Sequence, residues 1–336
     1  MPEHDTITQA VVWTDANTAP TLAQAVGQMG HTLHTVGVGG PRSAAVEQLA
    51  RPLELEPYDD LRLLLRDHPA HLLLLGTMEG VAVDDLLTAA DPPLHILSLE
   101  PMAASLQTLA ELHAPLIKGR SASSTAMEAA TLTPLPAFLS APGFRAAADP
   151  YEVLGEPRCL SLLSMGQPAH GSLFARLLDG WLTLLSFAAM PETIDASLTS
   201  PAGDIPETLD QLTGHLSAHA RFTDGGAAVL SLCDRAGETR RQLEVIGADG
   251  HLHVTDGNYR LRHADGSEVD HTDPPQEPLA FADLVADQWQ QHLHRPEPLG
   301  AASPRHADAL ACCLACLLSA RTGQPESPHR QLEMGR

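Results

Sequence analysis

The chain has 336 residues, 43% of them hydrophobic, with a mean hydropathy of -0.07, a length that favours two domains over one. No apolar run reaches the ~18 residues a bilayer span needs, and the first thirteen residues, MPEHDTITQAVVW, show neither a basic nor an apolar leader segment, so a cytoplasmic protein is expected. The net charge of -22 sets 42 acidic residues against 20 basic ones, of which only Lys118 is a lysine; this argues against nucleic acid and anionic membranes as partners, because phosphate binding needs clustered Lys and Arg.

The first third alternates strand-like and helix-like segments. Ala10–Thr14 is a short β-rich run, Thr21–Met29 has helical spacing ended by Gly30, and Thr32–Val38 reads as a second strand. Arg42–Ala50 and Asp59–Asp67 read as helices. Leu72–Leu75 is wholly apolar, as a parallel strand covered on both faces requires. Leu94–Leu97 and Leu116–Lys118 are read as further strands. Strands separated by helices predict a doubly wound parallel sheet with right-handed crossovers, over residues 1–133.

The character changes at about Pro134, where LTPLPAFLSAPGF reads as a connector. From Arg158 onward β-like runs predominate: Arg158–Ser164, Thr193–Thr199, Ala218–Thr223, Ala227–Cys233, Gln242–Ile246 and His251–Thr255. Asp-Gly or Gly-Gly turns at Asp224–Gly226, Asp249-Gly250, Asp256-Gly257 and Asp265-Gly266 signal hairpins. A long helix, Ser172–Ala188, interrupts them, and two more, Leu279–His294 and Pro304–Thr322, close the chain. Residues 134–336 are therefore expected to form an α+β domain with an open antiparallel sheet and helices on one face. Val229, Leu230, Leu232, Leu243 and Val245 would give apolar area to both faces, and the uncovered face would make a homo-oligomer.

Cys312, Cys313 and Cys316 lie together but lack ligands at a partner spacing, so they read as a small-residue core face and no metal is expected. His251/His253 and His292/His294 are two apart; with no carboxylate seen in register, they read as surface residues.

Several segments, in this order, resemble the Gfo/Idh/MocA family of NAD(P)-dependent sugar and inositol oxidoreductases: Tyr58–Leu61, Leu75–Met78, His95–Ala103 (HILSLEPMA against "HVLCEKPMA"), Arg221–Ala228, Leu243–His253, Phe281–His292 and Ala307–Gly323. The resemblance covers nearly the whole chain and implies a Rossmann-like nucleotide-binding domain followed by a substrate and oligomerisation domain.

The departures concern the chemistry. A dinucleotide site wants Gly-x-Gly-x-x-Gly after the first strand, for a tight turn and close backbone approach to the pyrophosphate. The matching segment is Thr14-Asp15-Ala16-Asn17-Thr18-Ala19, without a glycine and with a carboxylate facing an anion. Gly39-Gly40-Pro41 reads as a plain turn, although Arg42 after it could meet a 2′-phosphate. If a dinucleotide binds, Thr14, Ala16, Asn17, Arg42, Thr77 and Pro101 are the expected contacts. The family's Glu-Lys-Pro lysine is Glu100 here, and its acid–base histidine is Asp179; its two aspartates become Ala175 and Leu182. His170 reads either as a cleft residue or as a solvated helix start. Lys118 and Arg120, read at a strand end, could bind an anionic or hydroxylated ligand, and Glu100 and Lys118 could pair.

The sequence thus predicts the family fold with a degraded nicotinamide site. Cofactor binding is expected to be absent or weak, for NADP as for NAD, and the protein would act as a ligand-binding or partner subunit. The alternative is an active NADP-dependent oxidoreductase on a sugar-like or polyol substrate, in which Glu100, Lys118, Asp179 and His170 form a rebuilt acid–base set.

Overall fold

The computed structural model describes residues 8–88, 95–118, 132–134, 137–147, 153–294 and 304–335. The elements run β1 (Thr8–Trp13), α1 (Ala19–Gln28), β2 (Leu33–Gly39), α2 (Ala44–Ala50), α3 (Leu61–Asp67), β3 (Leu72–Leu75), α4 (Val83–Thr88), β4 (His95–Ser98), α5 (Leu106–Lys118) and β5 (Leu132–Pro134). There follow α6 (Pro142–Ala146), β6 (Pro157–Met165), α7 (Leu173–Leu184), β7 (Thr193–Thr199), β8 (His215–Arg221), β9 (Ala227–Cys233), β10 (Arg240–Gly247), β11 (Gly250–Thr255), β12 (Tyr259–His263) and β13 (Glu268–His271). The helices α8 (Phe281–His294), α9 (Pro304–Thr322) and α10 (Pro328–Met334) end the chain. They divide into two compact units.

The first unit holds a five-stranded sheet of order β2-β1-β3-β4-β5, with every strand pair parallel. All four residues of β3 are buried, as its apolar run requires. One face carries Ala10, Val12, Leu72, Leu74 and Leu97 against Leu22 and Ala25 of α1, Met29 just after it, and Val285 and Trp289 of α8. On the other face Leu64 of α3 reaches β2, where a Cβ on Gly39 would stand 2.9 Å from both Leu64 Cδ2 and the Trp13 ring. The expected parallel sheet with helices on both faces is present. The helix α8 groups with this unit rather than with residues 134–336, because its stripe Phe281, Val285 and Trp289 completes the core over α1.

Two strand assignments change. Leu116–Lys118 is the end of α5, not a strand; the spacing Leu106, Leu109, Leu112 continues as a helix through it. The fifth strand is instead Leu132–Pro134, inside the segment expected to be a connector, and it pairs with β4.

The second unit is built on an eight-stranded sheet of order β13-β12-β11-β10-β6-β9-β8-β7. Only β6 and β9 run parallel. Strand alternation sends Leu160, Leu162, Leu216, Leu230, Leu232, Leu243, Val245, Leu252 and Val254 to the core, with α7 and α9 on that side. Ser172 caps α7, its hydroxyl accepting the Ala175 N–H at 3.1 Å. The expected α+β unit with an open sheet is present, with two strands, β12 and β13, and the short α10 in addition. The apolar residues expected to serve both faces do not: Leu230, Leu232, Leu243 and Val245 share the covered face, and only Val229 lies on the other. Cys312, Cys313 and Cys316 are free and fully buried in α9, as expected of a small-residue core face.

Candidate functional site

In an open parallel sheet, ligands bind beyond the carboxyl ends of the strands, where the strand order reverses. In the first unit that point lies between β1 and β3. The sheet brings Thr14, Arg42, Thr77 and Pro101 to this edge, since each follows the end of one of the first four strands.

The turn after β1 is closed on itself. Asp15 Oδ1 accepts the backbone N–H groups of Asn17 and Thr18 and the Thr18 hydroxyl, all at 2.9 Å. These amides, at the start of α1, are of the kind that cradle a phosphate when a glycine-rich loop leaves them open. Here a carboxylate from the same turn holds them. Thr14 is fully buried, its hydroxyl 2.9 Å from that of Thr18. Gly76, after β3, packs onto the turn, where a Cβ would come within 2.6 Å of Thr18 Oγ1. Ala16 and Asn17 are exposed.

Trp13 closes the same point from the other face. Its indole is buried against Gly39 and donates from Nε1 to the Glu79 carbonyl at 3.1 Å, so it reaches from the end of β1 to the loop after β3. Thr77 Oγ1 accepts the Glu79 N–H at 3.1 Å and shapes that loop. The Asn17 and Thr18 amides are thus both taken by the Asp15 carboxylate at this turn.

Arg42 is exposed and pairs with Asp59, Nη2 to Oδ2 at 2.6 Å. The turn at Glu100-Pro101 is held by Ser98, whose Oγ donates to the Glu100 carbonyl at 2.6 Å and accepts the Glu100 N–H at 3.2 Å. Glu100 is half-buried. Lys118 ends a helix, so the expected juxtaposition of Glu100 and Lys118 at successive strand ends is not formed; the Lys118 side chain and Arg120 lie outside the described residues.

In the second unit Asp179 is half-buried, its side chain 17% exposed. Its Oδ1 accepts the Phe138 N–H at 2.9 Å, and its Oδ2 lies 3.4 Å from Arg241 Nη1. Arg241 also pairs with Asp256, Nη2 to Oδ1 at 2.7 Å, and its guanidinium lies 5.2 Å from the centre of the Phe138 ring. Burial raises the Asp179 carboxyl above the ordinary aspartate range, against the attraction of Arg241, and the like charge of Asp256 adds to the rise. Arg241 and Asp256 were missed by sequence reasoning, yet the signal exists: Arg241 shares the inward phase of Leu243 and Val245.

His170 sits in a short turn before α7, half-buried, with Nδ1 bonded to the Thr239 hydroxyl. Its carbonyl accepts from the buried Arg176 at 3.0 Å. Burial lowers the imidazole pKa, and the positive charge of Arg176 lowers it further.

The paired histidines read as surface residues also differ. His292 is buried in α8, stacked edge-on against His95 at 5.2 Å, because a spacing of two has a different meaning in a helix than in a strand. His251 and His253 do face a carboxylate: Glu244 stands directly across from His253 in the β10–β11 register, and both imidazoles bond to it. Among the described residues no group of three or more His, Cys, Asp or Glu is arranged to hold a metal ion, and no helix is long and apolar enough to cross a membrane.

No family model and no curated protein matches the sequence. Solved structures match the fold over nearly the full length. An oxidoreductase from Thermotoga maritima superposes with a TM-score of 0.68 at 15% identity, covering 97% of this chain and 100% of that one. A levoglucosan dehydrogenase in complex with NADH and levoglucosan gives 0.70 at 12% identity over 96% and 99% of the two chains. A UDP-N-acetylglucosamine 3-dehydrogenase from Acidithiobacillus ferrooxidans gives 0.68 at 13% over 94% and 99%. The chain therefore has the two-unit fold of these oxidoreductases, the fold that its resemblance to the Gfo/Idh/MocA family implied.

Proposed function

We propose that the chain is a divergent Gfo/Idh/MocA-type protein whose nicotinamide site is degraded, and that it serves as a cytoplasmic ligand-binding or partner subunit with little or no hydride-transfer activity. The observation that carries this reading is the Asp15 carboxylate on the Asn17 and Thr18 amides. A dinucleotide would have to break three hydrogen bonds and set its pyrophosphate beside an anion. Trp13 and its bond to Glu79 add a second obstruction at the point where the strand order reverses. The acid–base machinery points the same way. Asp179, at the position of the family's histidine, is committed to Arg241, and Glu100 supplies no positive charge. The ligand class is that of the fold's relatives, a sugar-like or polyol molecule. The open face of the second unit's sheet makes the chain a homo-oligomer.

A second reading keeps an active, NADP-dependent oxidoreductase, and one observation favours it. His170 is a half-buried imidazole held at Nδ1 by Thr239, with its pKa lowered by burial, which suits a proton acceptor at neutral pH. Calorimetric titration with NAD and NADP separates the two. The degraded site predicts dissociation constants weaker than ~1 mM, about -4 kcal/mol. Micromolar affinity for either nucleotide would establish the second reading instead.

A further inference from the structure

The helix α8 lies within Phe281–Ser303, which belongs to the first unit, whereas the chain on both sides of this stretch belongs to the second. A stripe of side chains holds it in place. Phe281, Val285 and Trp289 are buried in the core that contains Leu22, Ala25 and Met29. The next position of the stripe is His292, only 3% exposed. A titratable ring thus stands where the helical period calls for an apolar side chain.

The ionisable group that acts on His292 is another imidazole. From β4, His95 meets it edge-on, the ring centres 5.2 Å apart. Just before β3, the His71 carbonyl accepts the His95 N–H at 3.0 Å, and the charge of the His71 ring acts on His95 in turn. The helix packed along α8 is α1, whose residues Ala19–Gln28 include no ionisable side chain. On α8 itself, Asp283 and Asp287 lie about 180° and 140° round the helix from His292; Asp283 accepts from Gln28 at 2.6 Å and Asp287 from Gln291 at 2.8 Å. Burial lowers the pKa of His95, and burial together with His95 lowers that of His292 to about 4.

We propose that the stacked pair His95 and His292 makes α8 an acid-sensitive latch, which leaves the first unit when the pair is protonated while the second unit stays folded. A proton on His292 puts a cation at the end of an apolar stripe, which is costly, and beside a second imidazole that also takes up protons in acid. Leaving the stripe returns the ring to water. The packed state keeps His292 neutral, so its contribution is complete above the ordinary value of 6.5 and is lost as pH falls toward 4. The chain on both sides of Phe281–Ser303 belongs to the second unit, so the helix can leave and return without unfolding that unit. There the buried acid works in the opposite sense: burial raises the Asp179 carboxyl, which favours the second unit in acid. The latch is independent of whether the first unit binds a nucleotide.

The test is hydrogen exchange read by mass spectrometry at about pH 7.5 and about pH 5, with rates corrected for the intrinsic effect of pH on exchange. Peptides from α8 should lose protection by roughly 30-fold at the lower pH, the factor given by a pKa of 6.5 in the released helix and about 4 in the packed one. Peptides from α7 and β9, in the second unit, should keep theirs. In His292→Phe the loss from α8 should disappear; His292→Gln, equally unable to titrate, gives the same reading where the phenyl ring fails to pack. Unchanged protection of α8 in the wild type at the lower pH overturns the latch. Loss from α7 and β9 together with α8 means that acid unfolds the whole chain, and refutes it as well. The same loss from α8 in both variants assigns the effect to other groups and also overturns it.

Discussion

Asp15 and Thr18 are joined twice: one carboxylate oxygen accepts both the backbone N–H and the hydroxyl of Thr18, each at 2.9 Å. This pairing ties the first turn of the fold to the residue that leads into α1. In a dinucleotide enzyme the turn is an open cradle; here its own side chain fills it.

Asp15→Ala should therefore destabilise the protein by ~1 kcal/mol, the net contribution typical of an intramolecular hydrogen bond. Asp15→Asn keeps an oxygen acceptor and should cost less. Urea denaturation of both variants measures the difference. Equal stability of wild type and Asp15→Ala would show that the turn does not depend on this carboxylate.

The Asp179–Arg241–Asp256 cluster predicts an asymmetry. Arg241→Met takes the cation from two half-buried carboxylates and should cost about 3 kcal/mol. Asp179→Asn leaves the Arg241–Asp256 pair and an acceptor for the Phe138 N–H, and should cost much less. A larger loss from Asp179→Asn than from Arg241→Met would contradict this account.

The same residue sets a pH dependence. Burial raises the Asp179 carboxyl above its ordinary value of 3.8. A carboxyl raised in the folded state contributes stability that is complete below its unfolded pKa and is lost as pH rises through the folded one. Stability measured upward from about pH 4 should show this loss in the wild type, and Asp179→Asn should remove it.

His292 acts in the opposite sense. Burial, with the nearby His95, lowers its pKa from 6.5 to about 4. The neutral form is the one the core accepts, so stability is complete above pH 6.5 and falls as pH drops toward 4, by up to ~3 kcal/mol. His292→Phe keeps an aromatic ring against His95 and should flatten this limb. Thermal denaturation between the two pH values checks it, and an unchanged slope in the variant would place the acid sensitivity elsewhere.

Burial pushes the Cys316 thiol up to about 12 and raises those of Cys312 and Cys313. The thiolate is the reactive form, so a thiol reagent at neutral pH should modify these three only on unfolding. Cys159 and Cys233, half-buried in the sheet, should react first. Mass spectrometry after brief labelling of the native protein distinguishes the two classes.

Much of the architecture is legible in the sequence because hydrophobic period is local. Leu72–Leu75 is apolar throughout and is a buried parallel strand, while Thr193–Thr199 and Ala227–Cys233 alternate and are strands with one covered face. The end of α5 differs from the sequence reading because two apolar residues, Leu116 and Ile117, have no period of their own, and β5 was hidden by its proline. The missing glycines of the first turn are also plain in the sequence, and so is the exchange of lysine for Glu100. Which groups meet is a different matter. Arg241 reaches Asp179 from 62 residues away, Glu244 meets His253 through strand register, and α8 returns to the first unit over α1. Pairing between distant segments is set by register and by which face each strand buries, and a shift of one residue would turn every one of these side chains to the opposite face. Composition and period therefore determine the elements and the gaps in the expected chemistry, whereas only the tertiary structure decides that Asp15 closes the turn and Arg241 claims Asp179.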